Sequence, residues 1–202
     1  MSDVNFNKLV IWINALIPLG LLAYDGVRGQ LGANPVEFFL RTTGVLTLTF
    51  LLVTLSITPL RKLSGMNQLI KYRRLLGLFA FFYGIVHLST YFVFDRGASV
   101  LSAFDDVLQR RFILFGMTAL LLMVPLAVTS TNGMIKRLGG KRWQRLHQLI
   151  YISGILGVVH FWMIVKSDIF YPAIFGSILV FLLAYRIYIK AKPKMSSARS
   201  TA

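Results

Sequence analysis

Three histidines are the residues of this chain whose type and spacing most clearly suggest chemistry. His87 and His160 each follow a glycine by three residues, Gly84 and Gly157, and His147 lies 13 residues before His160. Neutral imidazole is a strong ligand for iron, and apolar helices can bury a porphyrin. Two imidazoles on different helices therefore suit axial coordination of a b-type haem.

Other kinds of chemistry lack the residues they need. The 202 residues include no cysteine, which excludes disulfides, iron–sulfur clusters, thiolate metal sites, cysteine nucleophiles and haem attached through thioethers. No phosphate-binding glycine motif, carboxylate pair or Ser/His/Asp arrangement can be found, so hydrolase and kinase functions are excluded as well.

The elements that carry the histidines follow from the distribution of charge. Hydrophobic residues make up 56% of the chain and charged residues only 14%. Six stretches of 16 to 24 residues contain no charged side chain: residues 9–24, 42–60, 75–94, 112–135, 146–165 and 169–185. About 20 helical residues cross a bilayer core of ~30 Å. We therefore predict an all-α, six-helix transmembrane bundle in a single domain, residues 1–190, with no obvious repeat and a short disordered cytoplasmic tail, residues 191–202.

The basic residues indicate how this bundle is oriented. With six spans, both termini and the 61–74 and 131–147 loops share one side, which carries 16 of the 22 basic residues and one of the seven acidic ones, Asp3. Short basic loops stay in the cytoplasm, which predicts that both termini are cytoplasmic. The net charge of +15 then reflects topology and attraction to anionic lipid, and no nucleic-acid partner is expected.

The same topology predicts the depth of two histidines. His87 lies 13 residues after Arg74, and His160 lies 13 residues after His147, so each is ~20 Å along its helix from the cytoplasmic side. The two side chains are expected at one level, about two-thirds of the way to the outer face. Positions i and i−3 share a helix face, so the preceding glycines either leave room for a flat porphyrin or allow close helix packing.

His147 lies at the cytoplasmic boundary, in the run KRWQRLH over residues 141–147. The neighbouring arginines could pair with haem propionates or a flavin phosphate. An ordinary interfacial histidine, hydrogen-bonded to water or headgroups, is the alternative. The matching position on the third helix is Arg74, so a second, inner haem would need a ligand from elsewhere or be five-coordinate.

Several motifs together resemble a known family. They are LGANPVE (31–37), TG (43–44), ITPLR (57–61), RRLLGL (73–78), HLSTY (87–91), TS (129–130) and LGGKRWQRLH (138–147). In this order they look like the MsrQ family, the haem-binding membrane subunits of the MsrPQ methionine sulfoxide reductase system. The resemblance runs from about residue 8 to residue 190. More distantly the chain is similar to ferric reductases and NADPH oxidases, which usually place two histidines on each of two helices. Arg74 replaces one of those four.

The resemblance implies an electron-transfer subunit rather than a catalytic one. Members of the family carry one or two b-type haems and flavin mononucleotide (FMN) in the bacterial inner membrane. They take electrons from the quinone pool or a cytosolic flavin reductase and pass them to MsrP, a periplasmic molybdopterin enzyme that repairs oxidised proteins. Carried over by position, His87 and His160 would ligate the iron of the outer haem, and His147 would be the ligand nearer the cytoplasm.

Two other functions remain open. One is a stand-alone transmembrane cytochrome that reduces ferric iron or oxygen, to which an NAD(P)H domain would normally be fused; the predicted 12-residue tail is too short to be one. The other is a small proton-coupled transporter in which His87 and His160 relay protons. A scaffold without a cofactor is a third possibility. The visible spectrum of the reduced protein distinguishes these functions.

Overall fold

Residues 3–165 and 168–191 are described by the computed structural model, and no strand occurs among them. The helices are α1 (Asp3–Val27), α2 (Pro35–Ser64), α3 (Arg73–Thr90), α4 (Val100–Gln109), α5 (Arg111–Val128), α6 (Asn132–Leu138), α7 (Gly140–Leu146), α8 (Leu149–Ile164) and α9 (Phe170–Ala191). A short 3-10 helix, Asn67–Lys71, precedes α3, and a π-helical turn, Tyr91–Asp95, extends it.

Six helical segments are long and apolar enough to cross a membrane: α1, α2, α3 with its π turn, α5, α7 with α8, and α9. The predicted all-α, six-helix bundle is therefore confirmed. Of the predicted tail, residues 191–202, Ala191 is the last residue of α9, and the rest lies outside the described residues.

Helix α2 shows how the sequence sets the ends of a span. The Asn34 side chain accepts a hydrogen bond from the Glu37 amide, and Pro35 occupies the first helical position, where its missing N–H has no consequence. The helix stops at Gly65, which adopts a left-handed conformation with φ of 72°.

Contacts at the helix ends divide the bundle into two faces. The Asn7 amide near the start of α1 donates to the Tyr72 hydroxyl before α3, over 3.0 Å, and Arg74 donates to Asn132 over 2.8 Å. These residues, the 61–74 and 131–147 loops and the end of α9 make up what we call the basic face. The other end of the bundle, with the 28–34 and 95–111 loops, is the opposite face.

The core lies where α2, α3, α5, α8 and α9 meet. It contains mainly aliphatic side chains: Leu51, Leu52, Leu55, Ala80, Met123, Leu126, Ile150, Leu179 and Leu182. Helix α1 packs at the edge through an aromatic cluster, in which Phe50 stacks on both Phe79 and Tyr83 and the Tyr83 hydroxyl donates to the Ala15 carbonyl. The bundle thus has a central group of five helices with α1 outside it.

The loops contain three helices that the sequence argument did not predict. Helix α4 turns Asp106 inwards, where the carboxylate accepts from Tyr91 and pairs with Arg96 and Arg110, while apolar side chains such as Phe104 face outwards. Helices α6 and α7 form the 131–147 loop. A search for charge-free stretches cannot find short helices that carry charges.

Candidate functional site

The α2–α3 pair positions His87. The imidazole Nδ1 lies 3.0 Å from the Leu40 carbonyl oxygen on α2 and 3.4 Å from the Thr43 hydroxyl. That hydroxyl already donates to the Phe39 carbonyl over 2.8 Å, so it can only accept from the ring. Helix α2 therefore fixes the ring that α3 carries.

His160 is positioned in the same way by a second pair of helices. Its Nδ1 lies 2.6 Å from the Phe112 carbonyl oxygen, at the beginning of α5. The buried Ser153 hydroxyl, two turns earlier on α8, donates to the Ala119 carbonyl over 2.8 Å and holds the same two helices together. The α5–α8 pair thus repeats the arrangement of the α2–α3 pair.

These hydrogen bonds determine the tautomer of both rings. A carbonyl oxygen can only accept, so Nδ1 of His87 and of His160 must carry the proton. Nε2 of each neutral ring then keeps its lone pair. Metal-binding histidines in proteins usually have this arrangement, with the second ring nitrogen donating to a carbonyl or carboxylate.

The structure brings the two imidazoles together at one depth. Their ring centroids are 6.2 Å apart and the ring planes are nearly perpendicular, at 88°. With metal–nitrogen bonds of about 2 Å and a ring radius of about 1.1 Å, two imidazoles on one metal ion have centroids roughly 6 Å apart. The spacing of His87 and His160 therefore fits a single metal ion held between them.

A cavity of about 590 Å³ surrounds the two rings. This volume is within the range of about 300–1,000 Å³ that is usual for cofactor sites. The cavity extends inwards to Leu51, Met123 and Ser153, and its walls are mostly aliphatic. Its charged residues and tyrosines are at the opposite face: Glu37, Arg41, Tyr91, Asp95, Arg110, Asp168 and Tyr171. An apolar macrocycle with acidic edge groups would fit such a cavity, because Arg41 and Arg110 lie at the polar rim.

Four glycines line this cavity, and sequence reasoning identified only two of them. A Cβ at Gly84 would lie 2.7 Å from the Leu120 side chain, and one at Gly157 would lie 2.9 Å from Leu48. The close-packing role that the sequence left open is thus present at both glycines.

The two glycines that the sequence argument missed are Gly44 and Gly116. A Cβ at Gly44 would be 3.3 Å from the His87 ring, and one at Gly116 would be 2.7 Å from Nδ1 of His160. Each glycine lies four residues after the carbonyl that accepts from that ring, Leu40 or Phe112. No local signal in the sequence connects them to histidines 43 and 44 residues further along the chain.

His147 is placed differently from the other two histidines. It lies between α7 and α8, outside the lining of the cavity, and its ring stacks on Trp143 with centroids 3.9 Å apart. Its Nε2 is 3.0 Å from the Thr129 hydroxyl, which donates to the Pro125 carbonyl over 2.6 Å. The Thr129 hydroxyl must therefore accept from Nε2–H, so the free nitrogen of a neutral His147 is Nδ1.

This fold and site define the class of protein. Residues 42–158, more than half of the chain, match the family described as "Ferric reductase like transmembrane component", and the chain belongs to it. The matched region includes most of α2, all of α3 and α5 and most of α8, and it ends two residues before His160.

Individual relatives narrow the class further. The chain is similar to proteins named "Protein-methionine-sulfoxide reductase heme-binding subunit MsrQ". The relative from Herminiimonas arsenicoxydans is 51% identical over 90% of this chain and 84% of its own length. The relative from Rhodospirillum rubrum is 46% identical over 89% of this chain and 86% of its own length. The relative from Xanthomonas oryzae pv. oryzae is 43% identical over 100% of this chain and 94% of its own length. The chain therefore belongs to the MsrQ family of membrane subunits.

Proposed function

We propose that this protein is a transmembrane electron-transfer subunit that binds one b-type haem between His87 and His160. The observation that carries the proposal is a pair of imidazoles that both line one apolar cavity, with ring centroids 6.2 Å apart. Each ring has Nδ1–H on a carbonyl and Nε2 free. The names of its relatives as haem-binding subunits support it independently.

Haem supplies a reversible one-electron carrier when bound. The residues of this chain would hold the haem and set its reduction potential. The Leu40 and Phe112 carbonyls keep both imidazoles in the ligating tautomer, and accepting from Nδ1–H makes each ring a stronger donor to the metal. The aliphatic walls keep water out, and burial of this kind is one of the factors that set a haem potential.

The direction of electron transfer follows from the position of the cavity. Its polar rim opens at the opposite face, whereas the basic face carries the loops expected in the cytoplasm. We propose that the chain lies in the bacterial inner membrane with the basic face inside. The haem then lies near the periplasmic side, where a periplasmic acceptor can dock.

The donor and acceptor that we propose are those of the MsrQ family. Electrons enter from the quinone pool or from a cytosolic flavin reductase, with FMN bound on the cytoplasmic side. They leave to the molybdopterin subunit MsrP, which reduces methionine sulfoxide in periplasmic proteins. The relatives' printed name, which describes a subunit of a protein-methionine-sulfoxide reductase, supports the methionine sulfoxide reductase end of this path.

His147 is not part of the proposed ligand pair. In the observed conformation its Nε2–H is held by Thr129 and its ring face is covered by Trp143. A role as ligand of a second, inner cofactor would use Nδ1 or require the ring to leave Thr129. We propose that His147 serves the inner end of the electron path, next to Arg73 and Arg74.

The reduced-minus-oxidised visible spectrum of the purified protein tests the proposal. We expect sharp bands of a bis-imidazole haem after dithionite, and complete loss of them in both His87→Ala and His160→Ala. His147→Ala is the matched control and should keep these bands. A colourless protein from haem-replete cells, or full bands in either variant of the pair, would show the proposal to be wrong.

The acceptor is tested separately with the haem loaded. Purified MsrP and methionine sulfoxide should reoxidise the reduced haem, and ferric citrate should not do so at a comparable rate. The opposite result would favour a stand-alone ferric reductase. Proton uptake by a haem-free protein in vesicles would instead favour the transporter.

A further inference from the structure

Two buried polar atoms near the basic face have no hydrogen-bond partner in the described part of the chain. They are Oγ1 of Thr58 on α2 and Nε of Arg186 on α9. More than nine in ten buried polar groups in proteins are paired. Neither Thr58 nor Arg186 lines the histidine cavity.

The backbone of α2 explains how Arg186 is held. Pro59 has no N–H, so the Leu55 carbonyl one turn earlier lacks its helical donor. Nη2 of Arg186 donates to that carbonyl over 2.6 Å, and Nη1 donates to the Tyr151 hydroxyl over 3.2 Å. Thr58 follows Leu55 by three residues and shares its helix face. The guanidinium is therefore held at the helix face that carries Thr58, and its Nε–H is unused.

Arg186 belongs to a cluster of cations that no carboxylate neutralises. Arg61 in the last turn of α2 and Arg73 at the beginning of α3 lie at the same end of the bundle as Arg186, which is near the end of α9. The ion pairs among the described residues all involve side chains of the opposite face: Glu37 with Arg41, Asp95 with Arg96, and Asp106 with Arg96 and Arg110. Asp3 is the one acidic side chain of the basic side.

We propose that Arg61, Arg73, Arg186 and Thr58 bind a phosphate group. A phosphate ester presents several acceptor oxygens and one or two negative charges, and arginine matches its geometry with paired N–H donors. It would take up the unused Arg186 Nε–H and the Thr58 hydroxyl and offset the clustered charge. The phosphate can come from a soluble phosphomonoester or from an anionic lipid headgroup, and the chemistry of the site is common to both.

The soluble source is tested with FMN, a probe whose choice rests on the proposed function. The wild-type protein in phosphatidylcholine nanodiscs is titrated with FMN and with riboflavin, which has the same ring system without the phosphate, and flavin fluorescence is followed. We expect FMN to bind at least tenfold more tightly than riboflavin. Inorganic phosphate should displace FMN, and acetate at equal ionic strength should not.

Three variants and a control locate the site. Arg73→Gln and Arg186→Gln should each weaken FMN binding at least tenfold. Thr58→Val, which keeps the shape of the side chain, should weaken it about threefold even if Arg186→Gln folds poorly. Arg137→Gln removes an exposed arginine from the same face and should change binding less than twofold. The haem bands should persist in every variant, so that failure of this site is distinguishable from failure of the haem proposal.

The lipid source is tested with nanodiscs that contain equal parts of phosphatidylglycerol and phosphatidylcholine. If a headgroup fills the site, native mass spectrometry should find phosphatidylglycerol retained by the wild type and by Arg137→Gln but lost from Arg186→Gln and Thr58→Val. The proposal is overturned if the variants and the control behave alike with FMN, inorganic phosphate and phosphatidylglycerol, or if acetate competes as well as phosphate.

Discussion

The α2–α3 and α5–α8 helix pairs hold their histidine rings with the same kinds of contact but at different distances. In each pair the second helix carries the histidine, and the first supplies a carbonyl for Nδ1 and a glycine against the ring. The carbonyl distance is 3.0 Å for His87 and 2.6 Å for His160. A Cβ added at the glycine would be 3.3 Å from the His87 ring but 2.7 Å from the His160 ring. The first pair also supplies the Thr43 hydroxyl, whereas Phe115 occupies the corresponding position before Gly116.

This comparison shows that the helix preceding each histidine controls the ring. A histidine on an isolated helix could turn about its side-chain bonds and present either nitrogen. Here the carbonyl selects the tautomer and the glycine lets the backbone come close enough to accept. Because the same device occurs twice, the two Nε2 lone pairs are left free inside one cavity.

The largest difference between the two pairs is expected on adding a methyl group at each glycine. Gly116→Ala forces the His160 ring off the Phe112 carbonyl, because a Cβ cannot remain 2.7 Å from Nδ1. Overpacking of this kind costs about 1–3 kcal/mol, and taken from haem binding this corresponds to a fall in haem affinity of roughly 5- to 150-fold. Gly44→Ala meets its ring at 3.3 Å and should cost less than about 1 kcal/mol.

Haem content per protein, measured after titration of the haem-free variants, tests this order. Gly133→Ala is a suitable control, since a Cβ there meets no other atom within 4 Å. Equal losses of haem content in Gly44→Ala and Gly116→Ala would mean that the two helix pairs hold their histidine rings equally tightly.

Sequence reasoning predicted the spans and the depth of His87 and His160, because both depend on charge-free length and a fixed rise per residue. It could not find Gly44, Gly116, Leu40 or Phe112. Their partners are 43 to 48 residues away, and the contacts depend on how two helices are rotated against each other. The role of Pro59 in exposing a carbonyl to Arg186 was missed for the same reason, whereas α4 was missed because it carries charges and is too short to cross a membrane.

The next largest effect is expected at Arg186, which donates to the Leu55 carbonyl on α2 and to the Tyr151 hydroxyl on α8. Arg186→Met removes the donor to the Leu55 carbonyl that Pro59 leaves unpaired within α2. An unsatisfied buried acceptor costs about 1–3 kcal/mol. We expect the haem-loaded variant in detergent to have a lower thermal midpoint, measured as the temperature at which heating abolishes the haem band. Arg137→Met should change this midpoint little. An unchanged midpoint would indicate that water or another donor replaces the guanidinium.

His147 should behave as the exception among the histidines. His147→Ala removes a ring that stacks on Trp143 and bonds Thr129, neither of which reaches the cavity. We expect an unchanged haem-to-protein ratio after dithionite titration and slower reduction by the cytosolic flavin reductase. A fall in haem content to half would instead identify His147 as a ligand of a second haem.

The smallest effect should come from the one polar contact that the pairs do not share. Thr43→Val removes the 3.4 Å contact between Oγ1 and Nδ1 of His87 and leaves the Leu40 carbonyl as the sole acceptor. With fewer hydrogen-bond acceptors for Nδ1–H, the imidazole donates less electron density to the haem iron, so the haem midpoint potential should rise slightly. The free energy of unfolding should change by less than about 1 kcal/mol. A redox titration of wild type and variant measures the shift, with Thr42→Val, whose hydroxyl bonds only the Phe38 carbonyl, as control. A potential that falls, or that shifts equally in the control, would mean that the Thr43 hydroxyl does not act on His87. The α2–α3 and α5–α8 pairs would then differ only in how tightly they pack.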